Sequence, residues 1–207
     1  IEKGVLIINV GDNCEEKIGI PLINSHVKGP EGLEEYLDIF IQTLADSSLA
    51  KEIKFDENIF VGGDIRAVNA DTQLTNEVAF RIAGGFAVFI HKDLTGPKPR
   101  LVVGRDMRLS SPRIHQEIIN GLQSCGADVI DIGAVPTGAF YFAVQLLKAD
   151  GGVIVTASHN PMDSNGLKFV VGHNNTVKEE VQLIKRIAKV DRFLTQNPGR
   201  VESRNIL

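Results

Sequence analysis

A polar loop between two short apolar runs carries the side chains of this sequence that are best suited to chemistry. Val153–Val155 and Leu167–Val171 are mostly apolar and rich in β-branched residues, which predicts two buried or half-buried strands. The polar residues between them are Thr156, Ser158, His159, Asn160, Asp163, Ser164 and Asn165. Pro161 restricts this loop and Gly166 permits a turn into the second strand. Such a loop suits either a reactive serine, which needs an exposed hydroxyl in a rigid frame, or an ordinary polar turn.

The elements that must position this loop alternate between strands and helices from residue 59 onward. Apolar spacing predicts further strands at Ile59–Val61, Leu101–Val103 and Val129–Ile132, and helices at Thr75–Ile90, Ile114–Leu122, Phe140–Lys148 and Thr176–Phe193. Ser111 and Pro112 are expected to cap and begin the second of these helices. The pattern predicts an α/β fold, a three-layer domain with a mixed, largely parallel sheet covered by helices.

Four loops are expected to meet at one edge of this sheet. They follow predicted strands and span residues 62–67, 104–111, 133–137 and 157–165. In open α/β sheets, ligands bind at the edge where the carboxyl ends of the strands lie. The sequence therefore places a candidate site at this edge.

The loop after the strand at Val153–Val155 reads Thr156-Ala157-Ser158-His159-Asn160-Pro161, followed by Asn165-Gly166-Leu167-Lys168. It resembles the active-serine loop of the α-D-phosphohexomutases, the phosphoglucomutase and phosphomannomutase family. In that family the serine is carried as a phosphoserine, which donates phosphate to a sugar monophosphate and takes one back from the bisphosphate intermediate. The resemblance implies that Ser158 is this serine.

Three further segments resemble the same family in the same order. Residues 60–67 are similar to its aromatic-Asp-Ile-Arg-Gly element, and residues 102–112 to its Val-Gly-Arg-Asp-x-Arg-x-Ser-Ser-Pro element. Residues 127–137 are similar to its Asp-Val-Ile-Asp-Ile-Gly-x-x-Pro-Thr element. Together the four matches cover residues 59 to 172, the extent of the family's first domain.

The resemblance also implies roles for residues around the serine. Arg66 lies beside the phosphoserine, Lys168 aids proton transfer from the sugar hydroxyl, and His159 and Asn160 bind the substrate. A Mg²⁺ ion is bound through the phosphate on Ser158, and the aspartates that complete its ligands belong to a missing domain. Without the resemblance, Arg66 is equally an ion-pair partner of Asp64, Lys168 a solvated lysine and His159 a residue that orders the loop.

The residues next to these motifs are predicted to have structural roles. Arg105, Asp106 and Arg108 are interpreted as ion pairs or loop anchors at the sheet edge. His159 is not expected to be a triad base, because neighbouring side chains on extended backbone point apart and no Gly-x-Ser-x-Gly elbow surrounds Ser158.

The sequence departs from the family pattern in two ways. Gly63 and Ala67 stand where the family commonly has an aromatic residue and a glycine. No Asp-Gly-Asp-Gly-Asp metal loop, Gly-Glu-x-Ser-Gly sugar loop or Arg-x-Ser-x-Thr phosphate loop is found in the sequence. We therefore interpret residues 1–58 as an unassigned region, 59–195 as the first domain and 196–207 as a linker toward a missing second domain. Within the unassigned region, apolar spacing predicts a strand at Val5–Val10 and an amphipathic helix at Leu33–Leu44. The piece alone is expected to be inactive.

Composition limits the classes of partner. With 26 acidic and 22 basic residues the net charge is −4, which argues against a nucleic-acid partner. No run approaches the roughly 20 apolar residues of a membrane-spanning helix. Cys14 and Cys125 do not form a disulfide framework and are interpreted as small buried thiols, which predicts a cytoplasmic protein.

Two rivals to the mutase remain. A catalytically silent domain of this kind would bind a phosphosugar or a protein partner, with residues 1–58 forming the interface. A serine hydrolase is the weaker rival, because neither the serine elbow nor a partner base is found.

Overall fold

The computed structural model describes residues 3–9, 15–21, 55–91, 97–189 and 197–206. Strand β1 (Lys3–Asn9) pairs antiparallel with β2 (Glu15–Pro21), with Lys3 opposite Pro21. The strand predicted at Val5–Val10 is therefore present up to Asn9. Cys14 and the helix predicted at Leu33–Leu44 lie outside the described residues.

The strands of the main sheet are β3 (Phe60–Val61), β4 (Asp64–Ala67), β5 (Arg100–Arg105), β6 (Asp128–Ala134), β7 (Gly151–Val155), β8 (Asn165–Val171), β9 (Asn174–Asn175) and β10 (Val201–Ser203). Their order is β10-β6-β5-β7-β8-β4-β3, and the short β9 pairs with β8. Strands β10, β6, β5 and β7 run parallel to one another, whereas β8, β4, β3 and β9 are joined by antiparallel pairing.

Helices cover both faces of this sheet. The described helices are α1 (Ala70–Gln73), α2 (Asn76–Ile90), α3 (Ser111–Ser124), α4 (Thr137–Leu146) and α5 (Lys178–Lys189). Leu101 and Val103 pack in one apolar cluster with α2, α3 and α5, while Val102, between them, packs in a second cluster with α4. This alternation is the period-two pattern of a strand that is buried on both faces. The predicted α/β class, with its three layers and mixed sheet, is confirmed.

Helix boundaries differ from the predicted ones by a few residues. Helix α2 begins at Asn76 because the Thr75 hydroxyl accepts a hydrogen bond from the N–H of Val78. Ser110, rather than Ser111, is the residue that precedes α3. Helix α4 begins at Thr137, three residues before the predicted start at Phe140. None of the described helices is long and apolar enough to span a membrane.

The segment at residues 62–67 was predicted as a loop, and this prediction is wrong for its second half. Asp64–Ala67 is strand β4, which follows β3 through a two-residue turn at Gly62 and Gly63. Gly62 has a φ of +60°, the left-handed conformation that hairpin turns of this length require. The Gly-Gly pair between two strand-like runs was therefore an available hairpin signal.

The predicted linker at residues 196–207 contains a strand of the main sheet. Strand β10 pairs parallel to β6, with Val201 opposite Val129. The Arg200 carbonyl accepts a hydrogen bond from the N–H of Val129. The domain boundaries inferred from the sequence remain predictions, but this stretch is more than a linker.

Cys125, at the end of α3, is buried, as the sequence predicted. Burial raises the pKa of its thiol to about 12, despite the opposing effect of Ser124. The thiolate is therefore scarce at neutral pH, and Cys125 is a packing residue rather than a nucleophile.

Asp131, on β6, has contacts that favour its charged form. Its Oδ1 accepts a hydrogen bond from the Gly133 N–H at 2.8 Å and lies 3.0 Å from Nε2 of buried His115, although that nitrogen is not aligned for a hydrogen bond. Burial acts to raise the pKa of Asp131, but His115, the Gly133 N–H and the charge of Arg105 together hold it below its ordinary value of 3.8.

Asp131→Asn is expected to lower the free energy of unfolding at pH 7 by about 1 kcal/mol, because the Gly133 N–H would then donate to a neutral amide oxygen instead of a charged carboxylate. The folded-state pKa lies below the unfolded one, so this stabilisation is complete at neutral pH and is lost as the pH falls through the folded-state pKa. Urea unfolding of both proteins from pH 7 to pH 3 measures it. The difference in unfolding free energy between the original protein and the variant should decrease as the pH falls. A difference that stays constant would contradict the lowered pKa of Asp131.

Candidate active site

All five residues that the sequence assigned to the site line one open cavity of about 260 Å³. They are Arg66, Ser158, His159, Asn160 and Lys168. The other lining residues are Asp64, Ile65, Thr156, Ala157, Asn165 and Gly166. The loop after β7 and the antiparallel pair β4 and β8 therefore form the walls of the cavity.

The register of β4 against β8 brings the cationic side chains of Arg66 and Lys168 together. Asp64 lies opposite Lys168, and Arg66 lies opposite Gly166. Side chains two positions apart on a strand share a face, so Asp64 and Arg66 point to the same side of the sheet. Residues about 100 positions apart in sequence thus meet at one wall.

A single carboxylate oxygen joins these two cations. Asp64 Oδ2 lies 2.7 Å from Lys168 Nζ and 3.0 Å from Arg66 Nη2. Arg66 therefore does form the predicted ion pair with Asp64. Arg66 and Lys168 nevertheless both line the cavity. An anion bound there would compete with Asp64 for both cations. Sequence reasoning missed the contact between Asp64 and Lys168, because only the strand pairing creates it.

Ser158 has an unusual backbone conformation. Its φ of +56° lies in the left-handed region, which costs a non-glycine residue roughly 1–2 kcal/mol. Its N–H donates to the Thr156 hydroxyl at 3.0 Å, and the N–H of Asn160 donates to the Ala157 carbonyl at 3.0 Å. The Ser158 side chain is exposed. Strain of this kind clusters at functional sites, where the surrounding structure holds it in place.

The histidine after the serine is closer than the sequence predicted. His159 Nδ1 lies 3.2 Å from Ser158 Oγ, so the two groups are within hydrogen-bond reach. The expectation that these neighbours point apart is wrong, because it assumed extended backbone and Ser158 is left-handed instead. Which of the two donates depends on the tautomer of the ring.

Ser164, the other serine of the loop, is in a different environment. It is buried, and its hydroxyl donates to the Val68 carbonyl at 3.0 Å. Its own carbonyl accepts a hydrogen bond from Arg108. Ser164 therefore fastens the loop to the segment after β4, and only Ser158 of these two presents a hydroxyl at the cavity.

The Arg-Asp-x-Arg segment after β5 anchors the loop, as one of the two interpretations proposed. Arg108 Nε lies 3.2 Å from Asp106 Oδ2, and Arg105 donates to the Asp106 carbonyl. None of these three residues lines the cavity. Asn165 also contacts this region, since its side-chain N–H groups donate to the hydroxyls of Ser110 and Ser111.

The departure at Gly63 has a steric explanation. A Cβ atom at this position would lie 2.1 Å from the backbone oxygen of Thr176, far inside contact distance. The Thr176 hydroxyl also donates to the Gly63 carbonyl at 2.7 Å. An aromatic residue therefore cannot replace Gly63 unless the segment after β9 moves.

The described residues fit a Mg²⁺ site only in part. Within the part of the chain that the structure describes, no group of three or more His, Cys, Asp or Glu side chains is placed to hold a metal ion. Asp64 is the carboxylate among the lining residues, and it is engaged by Arg66 and Lys168. A phosphate on Ser158 would be the ligand this loop contributes.

The fold is that of an α/β/α domain with a polar serine loop at one edge of its sheet, and comparison with known proteins identifies its family. Residues 57–194 match the family described as "Phosphoglucomutase/phosphomannomutase, alpha/beta/alpha domain I". The chain therefore belongs to the phosphoglucomutase/phosphomannomutase family, and the predicted resemblance is confirmed.

Relatives and solved structures agree with this assignment. The chain is 40% identical over 161 residues to "Phosphomannomutase/phosphoglucomutase" of Pseudomonas aeruginosa PAO1, covering 77% of this chain and 34% of that protein. It is 38% identical over 127 residues to "Phosphoglucosamine mutase" of Brevibacillus brevis, covering 60% and 27% of the two chains. A phosphoglucomutase/phosphomannomutase family protein from Burkholderia thailandensis superposes with a TM-score of 0.63 at 33% identity, covering 74% and 34%. The chain thus spans about a third of the length of these relatives.

Proposed function

We propose that the chain is the part of a phosphohexomutase that carries the transferred phosphate, and that Ser158 is the carrier. One observation carries the proposal: in a chain of this family, the exposed and strained Ser158 lines the same cavity as Arg66 and Lys168. A guanidinium and an ammonium suit a phosphate dianion, because both donate charge-assisted hydrogen bonds.

The proposed reaction interconverts a hexose 1-phosphate and a hexose 6-phosphate in two transfers. In the first, the bond between Ser158 Oγ and phosphorus breaks while a sugar hydroxyl oxygen forms a bond to phosphorus. The proton of the sugar hydroxyl ends on Ser158 Oγ as the serine leaves, Lys168 aids this proton transfer, and Arg66 stabilises the charge on the phosphate oxygens. In the second transfer the bond between the other phosphorus of the hexose bisphosphate and its sugar oxygen breaks, Ser158 Oγ forms a bond to that phosphorus, and the serine proton passes to the sugar oxygen. His159 and Asn160 are proposed to contact the substrate.

A Mg²⁺ ion is proposed to accompany the phosphorylated serine. When bound, it would neutralise part of the charge on the transferred phosphoryl group. Ser158 would contribute a phosphate oxygen to it, and the remaining ligands are proposed to come from a further domain of a longer, cytoplasmic protein. The 207-residue chain alone is accordingly proposed to lack turnover, so the tests use the full-length gene product.

A catalytically silent domain that binds phosphosugars or a protein is the second candidate. The environment of Ser158 favours the mutase, because a binding domain needs neither a strained, exposed hydroxyl nor two cations around it. The names of the relatives refer to mannose, glucose and glucosamine phosphates, so assays should include all three sugars.

Incubation of the full-length protein with a ³²P-labelled hexose 1,6-bisphosphate is expected to label the peptide that contains Ser158. Fragmentation mass spectrometry should place the phosphate on Ser158 and not on Ser164, whose buried hydroxyl is bonded to Val68. Ser164→Ala should retain the label and Ser158→Ala should lose it. Label on Ser164, or no label on any serine, would overturn the proposed function.

A further inference from the structure

Arg108 joins the segment after β5 to the carbonyl groups of the serine loop. Its Nη2 donates to the carbonyl oxygens of Ser158 at 3.2 Å and Asn160 at 2.8 Å. Its Nη1 donates to those of Pro161 at 2.5 Å and Ser164 at 3.1 Å. These four bonds span the loop from Ser158 to Ser164.

The guanidinium is itself held in place. Arg108 Nε lies 3.2 Å from Asp106 Oδ2, and the Arg108 backbone N–H donates to Asp106 Oδ1 at 3.1 Å. Asp106 Oδ1 also accepts a hydrogen bond from the Ser111 hydroxyl at the start of α3. Only 14% of the Arg108 side chain is exposed, and its bonds to the Asn160 and Ser164 carbonyls are partly buried. The loop is therefore fastened through Arg108 to Asp106 and, through Ser111, to α3.

Arginine is the side chain that can make this set of contacts. It has five N–H donors in a planar fork, whereas lysine has three donors on one nitrogen atom. The two Nη atoms donate to four carbonyl groups, and Nε lies beside the Asp106 carboxylate. A lysine would preserve the charge opposite Asp106 but could not reach all four carbonyls.

The contact with Ser158 is the one that matters for chemistry. The left-handed conformation of Ser158 is unfavourable for a residue other than glycine, so bonds elsewhere must stabilise it. A hydrogen bond from a charged donor is stronger than one between neutral groups. The bond from Arg108 to the Ser158 carbonyl therefore helps to hold this conformation.

We propose that Arg108 is a positioning residue that holds Ser158 in the conformation that presents its hydroxyl beside Arg66 and Lys168. The proposal rests on the proposed function, because it takes Ser158 to be the phosphate carrier. Arg108 does not line the cavity and need not touch the sugar. Its loss should therefore change the geometry of transfer more than the binding of substrate.

The test compares Arg108→Ala with Arg113→Ala in the full-length protein. Arg113 is a matched control, because it also donates to two backbone carbonyls, those of Ala70 and Leu74, and also pairs with an aspartate, Asp71. These contacts are with residues 70–76 and not with the serine loop itself. Both substitutions should lower the melting temperature, so a loss of stability by itself does not distinguish a positioning residue from a structural one.

Arg108→Ala is expected to lower kcat about 10²-fold with KM within about twofold, since small displacements of a reacting group have effects of this order. The ³¹P resonance of phosphorylated Ser158 should also shift. Arg113→Ala should leave kcat and the resonance unchanged. If Arg108→Ala does not fold, Arg108→Lys provides the same comparison, with a smaller loss of kcat and a melting temperature near that of the original protein.

Equal kcat values for the Arg108 and Arg113 variants would overturn the positioning role, as would an unshifted ³¹P resonance. The two proposals fail separately. If the original protein is phosphorylated on Ser158 and active, but the Arg108 variants match it, only the positioning role is wrong. If the original protein takes up no phosphate on Ser158, the proposed function is wrong and the positioning role falls with it.

Discussion

Ser158→Gly is expected to abolish mutase turnover in the full-length protein while leaving it more stable than Ser158→Ala. Both substitutions remove the hydroxyl that carries the phosphate in the proposed reaction. They differ in the backbone, because the φ of +56° at this position is unfavourable for alanine and accessible to glycine. After the greater flexibility of unfolded glycine is subtracted, glycine should be favoured by about 1 kcal/mol.

Thermal or urea unfolding measures the difference in stability, and a coupled assay with hexose 1-phosphate measures turnover. Ser164→Ala serves as the control, because it removes a serine hydroxyl from the same loop without removing the proposed carrier. It should retain turnover, with a modest loss of stability from the missing bond to Val68. Measurable turnover in Ser158→Gly would exclude the covalent mechanism. A more stable alanine variant would show that the left-handed conformation is not the one in solution.

Arg66→Ala and Lys168→Ala are each expected to slow phosphoryl transfer about 10²-fold, the usual effect of removing a group that stabilises transition-state charge. Such a loss corresponds to about 2.7 kcal/mol. The effect on folding should be smaller, because 56% of the Arg66 side chain is exposed and ion pairs near the surface contribute about 0–1 kcal/mol. Single-turnover transfer from phosphorylated Ser158 measures the first quantity and urea unfolding the second.

Lys178→Ala is the matched control for these two cations. Lys178 is exposed at the start of α5 and does not line the cavity, so its loss should leave the rate unchanged. The double variant of Arg66 and Lys168 is expected to be non-additive, because both groups share Asp64 Oδ2. Near-normal transfer rates in both single variants, together with lowered melting temperatures, would mean that these cations only stabilise the fold.

Much of the fold follows from local sequence patterns. The continuous apolar run Val153–Val155 indicates a strand that is buried on both faces, whereas the spacing of apolar residues over Thr75–Ile90 indicates a helix that is buried on one side. Patterns of these two kinds alternate along the chain and predicted the α/β class. The residues of the loop also follow from sequence, since the run from Thr156 to Pro161 is contiguous and resembles a known motif. Strand β10 was missed because Val201–Ser203 is short, and all three of its residues are exposed.

The arrangement of the site is a property of the tertiary structure. The sequence named Arg66, Ser158 and Lys168, but the shared carboxylate of Asp64 depends on the pairing of β4 with β8, about 100 residues away. The contact between Ser158 and His159 depends on a left-handed φ that no residue type at that position predicts.

The four carbonyls that Arg108 binds converge only because residues 158–164 fold back toward a loop some 50 positions earlier in the chain. The sequence determined which groups are present and which local elements they belong to, because periodicity and turn chemistry are short-range. Tertiary structure decided the distances and conformations among those groups, because hydrogen bonds between distant segments stabilise backbone conformations that local preference alone disfavours.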